Sequence, residues 1–209
     1  REGSISPMDG KGNIFWGDDF EAGFGKWQHE GSTAGNDAEH ASERARSGTK
    51  SAKLSVTNAG GGWARIKTTL PHPKLERYGI ELHHTWPLNT NSPYIYFDLN
   101  DGTYRWRAEV YYFRGLSRLA LKDENENTQV IDTFDWKDMD PTFFYDAKLV
   151  IDFITKKFDK LLCRGKEYDL SAYGLQRANY SAFPSLYIAL TYDRNAAEAT
   201  PMYIDDVIL

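Results

Sequence analysis

The residues with the most chemistry to offer lie in SPYIYFDLNDGTYRWRAEVYYFRG, residues 92 to 115. Side chains of a strand alternate sides, so each run divides into two faces. In PYIYFDL, Ile95, Phe97 and Leu99 form an apolar set and leave Tyr94, Tyr96 and Asp98 opposite. In TYRWRAEVYYF, Tyr104, Trp106, Ala108, Val110 and Tyr112 form the bulkier apolar set, leaving Arg105, Arg107, Glu109 and Tyr111 on the other face. If the two runs are neighbours, rings that stack on apolar C–H faces stand beside arginines and carboxylates that bond hydroxyls. Sugars are bound by such a mixture. The same alternation also belongs to any antiparallel sheet with one solvated face, where Tyr and Arg are common cross-strand partners.

Two further runs extend the pattern. RYGIELHHTW sends Ile80, Leu82 and Trp86 one way and Glu81 and His83 the other, and SLYIALTYD turns Leu186, Ile188 and Leu190 inward and Tyr187 and Thr191 outward. If these strands share a sheet with the first two, Glu81 and His83 join the tyrosines and arginines. Trp63 follows the run Ala59-Gly60-Gly61-Gly62 and is either a stacking platform carried on a loop or a core anchor. His83 and His84 are adjacent, so on a strand they cannot jointly bind one metal. There is no GxSxG elbow, P-loop, HExxH or paired CxxC.

The elements that must position these groups read as short strands with turn signals between them, the pattern of a sandwich or barrel. Candidate strands are NIFWGDDF, SAKLSVTN, GWARIKTTL, RYGIELHHTW, PYIYFDL, TYRWRAEVYYF, RLALK, TQVIDTF, AKLVIDFI, KFDKLLCR, KEYDL, SLYIALTYD and MYIDDVIL. Turns are expected at Asn100-Asp101-Gly102, over 123–127 and at Arg164-Gly165-Lys166. The stretch AGNDAEHASERARSG (34–48) reads as a wandering loop. Residues 1–13 read as a flexible lead-in and 14–209 as one all-β domain.

Composition is consistent with this. The chain has 209 residues, 41% hydrophobic and 14% aromatic, enough for one buried core. A formal charge of −5 disfavours nucleic acid and anionic membrane surfaces as partners. No stretch approaches the roughly 18 apolar residues of a membrane span. The lone Cys163 sits in an apolar strand pattern and reads as a small core residue. The chain begins REGSISPMDGKGN, without an initiator Met, as a polypeptide whose leader has been removed would; a secreted or cell-surface protein is expected.

The two ends carry a resemblance. FWGDDFEAGFGKW (15–27), then RARSGTKSAKLSV (44–56), and a close on MYIDDVIL (202–209) resemble the jelly-roll modules of the concanavalin A-like lectin/glucanase and carbohydrate-binding-module type. AKLVIDFITKKFDKLLCRGKEYDLS (147–171) is similar to the strand–turn–strand of laminin-G-like sandwiches. The resemblance implies a two-sheet antiparallel jelly roll; taken with the strand faces, a non-catalytic protein that binds polysaccharide on its concave face is expected. Tyr94, Tyr96, Glu81, His83, Arg105, Arg107, Glu109, Tyr111 and Trp63 are then the candidate ligand residues. It also implies that first and last strands pair, bringing Asp18, Asp19 and Glu21 near Asp205 and Asp206; hard oxygen ligands so clustered would suit a structural Ca²⁺.

Catalysis is the alternative. Retaining glucanases of this fold carry Glu-x-Asp-x-x-Glu on a strand, which is absent here. KDENENTQ (122–129) is acidic but falls where a hairpin turn is expected. RWRAEVYY (105–112) loosely resembles the Arg-x-Glu strand of alginate lyases. That would make Arg107 the neutraliser of a uronate, with Tyr111 or His83 moving the proton and Glu109 nearby. The family's Gln-(Ile/Val)-His element survives only as Gln129-Val130-Ile131, with the His missing. A structural or adhesive module without a small ligand is the third alternative.

Overall fold

The computed structural model describes residues 13–57, 62–71, 76–85, 91–113, 116–134, 140, 142–194 and 200–209. Nearly all of the lead-in, and the residues Ala59 to Gly61, His72 and Trp86, lie outside that set. Among the described residues there is no α-helix, and two antiparallel eight-stranded sheets face each other.

The first sheet has the order β13 (Lys166–Asp169), β12 (Lys157–Cys163), β11 (Phe144–Asp152), β6 (Arg77–Thr85), β16 (Met202–Ile208), β4 (Ser51–Ser55), β3 (Asp37–Ala41), with β1 (Gly17–Asp18) also paired to β16. The second runs β10 (Thr128–Thr133), β9 (Arg118–Lys122), β8 (Tyr104–Phe113), β7 (Asn91–Asn100), β15 (Ser185–Arg194), β5 (Gly62–Pro71), β2 (Gln28–Gly31), with β14 (Gln176–Asn179) also paired to β8.

The alternation expected from the sequence sets the core. Phe97, Leu99, Ala108, Val110, Ile188 and Leu190 of the second sheet are almost wholly buried, as are Ile80, Leu82, Leu149 and Ile204 of the first. Apolar surface removed from water at about 25 cal/mol per Å² is the main force holding the sheets together. Phe153 and Phe158, both 1% exposed or less, fill the space where β11 turns into β12.

Hairpin turns form where polar turn residues were expected. Gly102 takes φ +98°, and the Asp101 carboxylate accepts the N–H groups of Thr103 and Tyr104. Asp123 does the same for Asn125 and Asn127, so the acidic run 123–127 is a turn.

Three strands depart from expectation. β3 lies inside the stretch 34–48 read as a loop, and β2 and β14 were not foreseen. β2 and β3 are sheet edges, and edge strands are short and polar because one side has no strand to pair with. Only Ala38 and Ala41 of β3 are buried, too few to give a period.

Candidate functional site

The outward face of the second sheet is built by register. Tyr94 opposes Tyr111, Tyr96 opposes Glu109, Asp98 opposes Arg107 and Asn100 opposes Arg105 across β7 and β8. On the other side of β7, Thr191, Ala189, Tyr187 and Ser185 of β15 stand opposite the same four β7 residues. Beyond β15, Arg65, Lys67 and Thr69 of β5 continue three of these rungs. The even spacing of outward residues in four strands thus becomes a ladder of rows across one face.

The tyrosines form its first part. Tyr94 and Tyr96 lie parallel with centroids 5.8 Å apart, and Tyr94 stacks on Tyr111 at 5.1 Å. The Arg107 guanidinium lies 5.0 Å from the Tyr96 centroid, and Arg65 lies 4.5 Å from Trp63. Arg65 also donates to Thr191 Oγ1 at 2.8 Å, while Glu30 of β2 pairs with Arg65 and Lys67. Burial, with the carboxylates of Asp193 and Glu109, pushes the Tyr94 hydroxyl up to about 12, and burial also raises that of Tyr96. At neutral pH these two are therefore hydroxyl donors and acceptors, not bases.

The arginines form the second part. Arg107 holds the buried Asp98 carboxylate in a two-armed bond, Nε to Oδ1 at 2.9 Å and Nη2 to Oδ2 at 2.8 Å. Burial nevertheless raises the Asp98 carboxyl, with Arg107 and Arg105 pulling it back. Burial raises Glu109 as well, opposed chiefly by the charge of Arg107. Arg105 is less well served. Its Nε is 3.8 Å from Asp98 Oδ2, outside hydrogen-bond range, and has no other partner among the described residues. Asn100 is 6% exposed and donates Nδ2 to Ser185 Oγ, but its Oδ1 accepts nothing from the described residues.

Both unpartnered atoms belong to residues lining a hollow of about 470 Å³. The floor is Thr69, Asp98, Asn100, Arg105, Arg107 and Tyr187; Tyr180, Ala182 and Phe183 make a wall. Topology explains the wall. β14 pairs with β8, whereas β15, the next strand, lies on the far side of β7, so residues 180–184 must cross the ends of both. The Tyr180 N–H donates to the Thr103 carbonyl, which ties the crossing to the β7–β8 turn. Phe183 stands on the rim 92% exposed.

Of the candidate ligand residues, Tyr94, Tyr96, Arg105, Arg107, Glu109, Tyr111 and Trp63 share this face, Trp63 on β5 and not in the core. Glu81 and His83 do not. They lie on β6 of the opposite sheet, Glu81 paired with Lys148 at 3.6 Å and His83 with Asp146, because β6 is hydrogen-bonded between β11 and β16. The lyase set of Arg107, Tyr111 and His83 is therefore divided between the two sheets. Asn100, Thr69, Tyr180 and Phe183 escaped the sequence reading. Asn100 follows the period-two spacing of Tyr94, Tyr96 and Asp98, a usable signal; nothing local marks Phe183.

The terminal carboxylates do not converge either. β1 pairs with β16 as expected, but each acid is engaged by its own neighbourhood. Asp18 accepts from Phe20 N and Trp27 Nε1; Asp19 accepts from Glu21 N; Glu21 accepts from Thr49 and Lys50. Asp205 accepts the N–H groups of Arg46 and Ser47, and Asp206 takes the Arg46 guanidinium and Ser47 hydroxyl. Among the described residues no three His, Cys, Asp or Glu side chains are placed to hold a metal.

No family model matches the chain, and no curated protein does. Solved structures do. The chain is similar to a protein from a study of carbohydrate-binding modules of the β-sandwich superfamily and their promiscuous specificity, with 14% identity and a TM-score of 0.50 over 91% of this chain and 60% of that one. This chain thus spans about three fifths of that protein's length. It is also similar to a GH16 protein of Bacteroides ovatus in complex with a mixed-linkage glucan product, with 13% identity and a TM-score of 0.57 over 94% of this chain and 100% of that one. A β-glucanase of Bacillus licheniformis gives 13% identity and a TM-score of 0.51 over 92% and 96%. Two facing antiparallel sheets and these likenesses together make the chain a jelly-roll β-sandwich of the concanavalin A-like type.

Proposed function

We propose that this chain is a non-catalytic, polysaccharide-binding sandwich, secreted or displayed at a cell surface, that takes its ligand on the outward face of the second sheet. The observation that carries the reading is the hollow beside the tyrosine ladder. It combines exposed aromatic edges with a buried acceptor, Asn100 Oδ1, and a donor, Arg105 Nε, that no described residue satisfies. Unmet polar atoms at a concave site are costly unless a ligand or water completes them. Sugar hydroxyls both donate and accept, and a pyranose ring offers an apolar face to Phe183 and Tyr180.

The chemistry of the carboxylates supports binding over turnover. Asp98 is locked to Arg107 and cannot swing to attack a sugar carbon, and the tyrosines are held as neutral hydroxyls. A hydrolase reading retains one favourable observation: Glu109 is a half-buried carboxyl with a raised proton affinity, as a general acid requires.

Affinity electrophoresis through gels containing single polysaccharides, with a reducing-end assay on the same panel, tests this. Retardation by at least one polysaccharide is expected, weakened several-fold in Phe183→Ala, without new reducing ends. Ile154→Ala, at an exposed site on the first sheet's β11–β12 turn, is expected to run as the parent does. Absence of retardation across neutral and acidic panels overturns the proposal, and reducing ends lost in Glu109→Gln replace it with hydrolysis.

A further inference from the structure

We propose that the hollow is a subsite for a sugar bearing an anionic substituent, a carboxylate or a sulfate ester, which Arg105 binds while Asn100 accepts a neighbouring hydroxyl. The inference rests on the polysaccharide-binding reading and names the class of sugar.

Charge is the first argument. The residues lining the hollow include two guanidinium groups and one carboxylate, Arg105 and Arg107 against Asp98, on a chain whose formal charge is −5. Asp98 is already spent. Three contacts of 3.1 Å or less tie it to Arg107, and its Oδ2 stays 3.8 Å from Arg105. One positive charge therefore lines the hollow without a hydrogen-bonded counter-charge among the described residues.

Geometry is the second. The Arg105 side chain is 33% exposed, so it is partly desolvated yet open to a ligand. Its guanidinium carbon lies 5.9 Å from the Tyr180 ring, which holds the fork against the wall. A planar guanidinium offers paired N–H donors that suit carboxylate or sulfate oxygens, and such charge-assisted bonds are short and strong. Asn100, 6% exposed, lines the same hollow, and its Oδ1 has no partner among the described residues; an anion beside that oxygen would be repelled and a hydroxyl donor welcomed. Anion and hydroxyl on one ring satisfy both. Phe183 on the rim is placed to cover the ring's apolar face.

Titration calorimetry with tetragalacturonate and its carboxyl-reduced counterpart tests the proposal. A κ-carrageenan tetrasaccharide and its desulfated form serve as the second pair. The anionic member of one pair is expected to bind about tenfold or more tightly than its neutral twin. That preference is expected to shrink with added salt and to vanish in Arg105→Gln, while Arg105→Lys keeps part of it. The pair showing the Arg105-dependent preference identifies the carboxylate or the sulfate as the group taken. Phe183→Ala, at a fully solvated position, is expected to weaken both members of that pair alike. If neutral and anionic twins bind equally, the inference fails and the glycan-binding reading stands. If no member of either pair binds while a neutral polysaccharide is retarded on gels, the inference also fails alone. Failure of every glycan overturns both.

Discussion

Two arginines two residues apart on one strand have opposite duties. Arg107 neutralises a carboxylate that is 1% exposed, and Arg105 stands beside it with its Nε unbonded. Removing one partner of a buried pair leaves the other charge stranded, which costs about 3 kcal/mol. Arg107→Ala is therefore expected to lower unfolding free energy by about 3 kcal/mol, and Arg105→Gln by less than about 1 kcal/mol, as outward substitutions usually do. Urea denaturation of both variants checks this, and equal losses would show that Arg105 shares the support of Asp98. The consequence is practical: loss of ligand binding in Arg107→Ala would report unfolding as readily as a lost contact. Arg105, Tyr180 and Phe183 probe the site without disturbing the pair beneath it.

At the scale of elements, β16 shows how backbone geometry decides what a motif does. Asp205 and Asp206 are consecutive and would ordinarily point to opposite faces. Asp206 takes φ +48° and the β16–β6 register shifts there, so both carboxylates reach the segment holding Arg46 and Ser47. The pair fastens a loop, and the acidic ending seen in the sequence needs no metal to explain it. Burial, with Asp206 next to it, raises the Asp205 carboxyl to about 7 from 3.8 despite its backbone donors. The folded state then retains a proton that the unfolded chain loses near pH 4. Its contribution to stability is complete below that pH and is lost as pH rises through about 7. Melting temperatures between about pH 4 and pH 8 are expected to show this decline in the parent and a flatter profile in Asp205→Asn; parallel profiles would assign the decline to other groups. The same element scale explains what the sequence could disclose. The thirteen strand runs were legible because Phe97, Leu99, Ala108, Val110, Ile188 and Leu190 repeat with period two. β2 and β3 were not, because their polar outer edges carry no such period. Tyr94, Tyr96, Arg105, Arg107, Glu109 and Tyr111 could be put on one face from β7 and β8 alone. Strand order lies outside local pattern, so Glu81 and His83 were wrongly joined to them. For the same reason, the wall made by residues 180–184 could not be foreseen.

The whole molecule sets the rigidity on which such a site depends. Its ladder stands on a sheet whose reverse is packed against a second sheet, so the backbone that carries the ladder is held by the sandwich. Cys163 offers a direct measure of the sandwich parting. It lies on β12, 4% exposed, facing the space between the sheets alongside Leu82, Ala147, Leu161 and Tyr112. Burial pushes its thiol up to about 12, so at neutral pH almost none is thiolate, the form that reacts. A thiol reagent such as Ellman's is expected to leave the native protein unlabelled and to label one thiol per chain once urea unfolds it. At sub-denaturing urea, the labelling rate is expected to follow the free energy of global unfolding, because β12 is bonded on both sides, to β11 and to β13. Labelling much faster than that would mean that β13 and β12 peel away at the sheet's edge while the rest holds. The second sheet, with β15 paired along its length to both β7 and β5, would then be the part that keeps its shape, and the site with it.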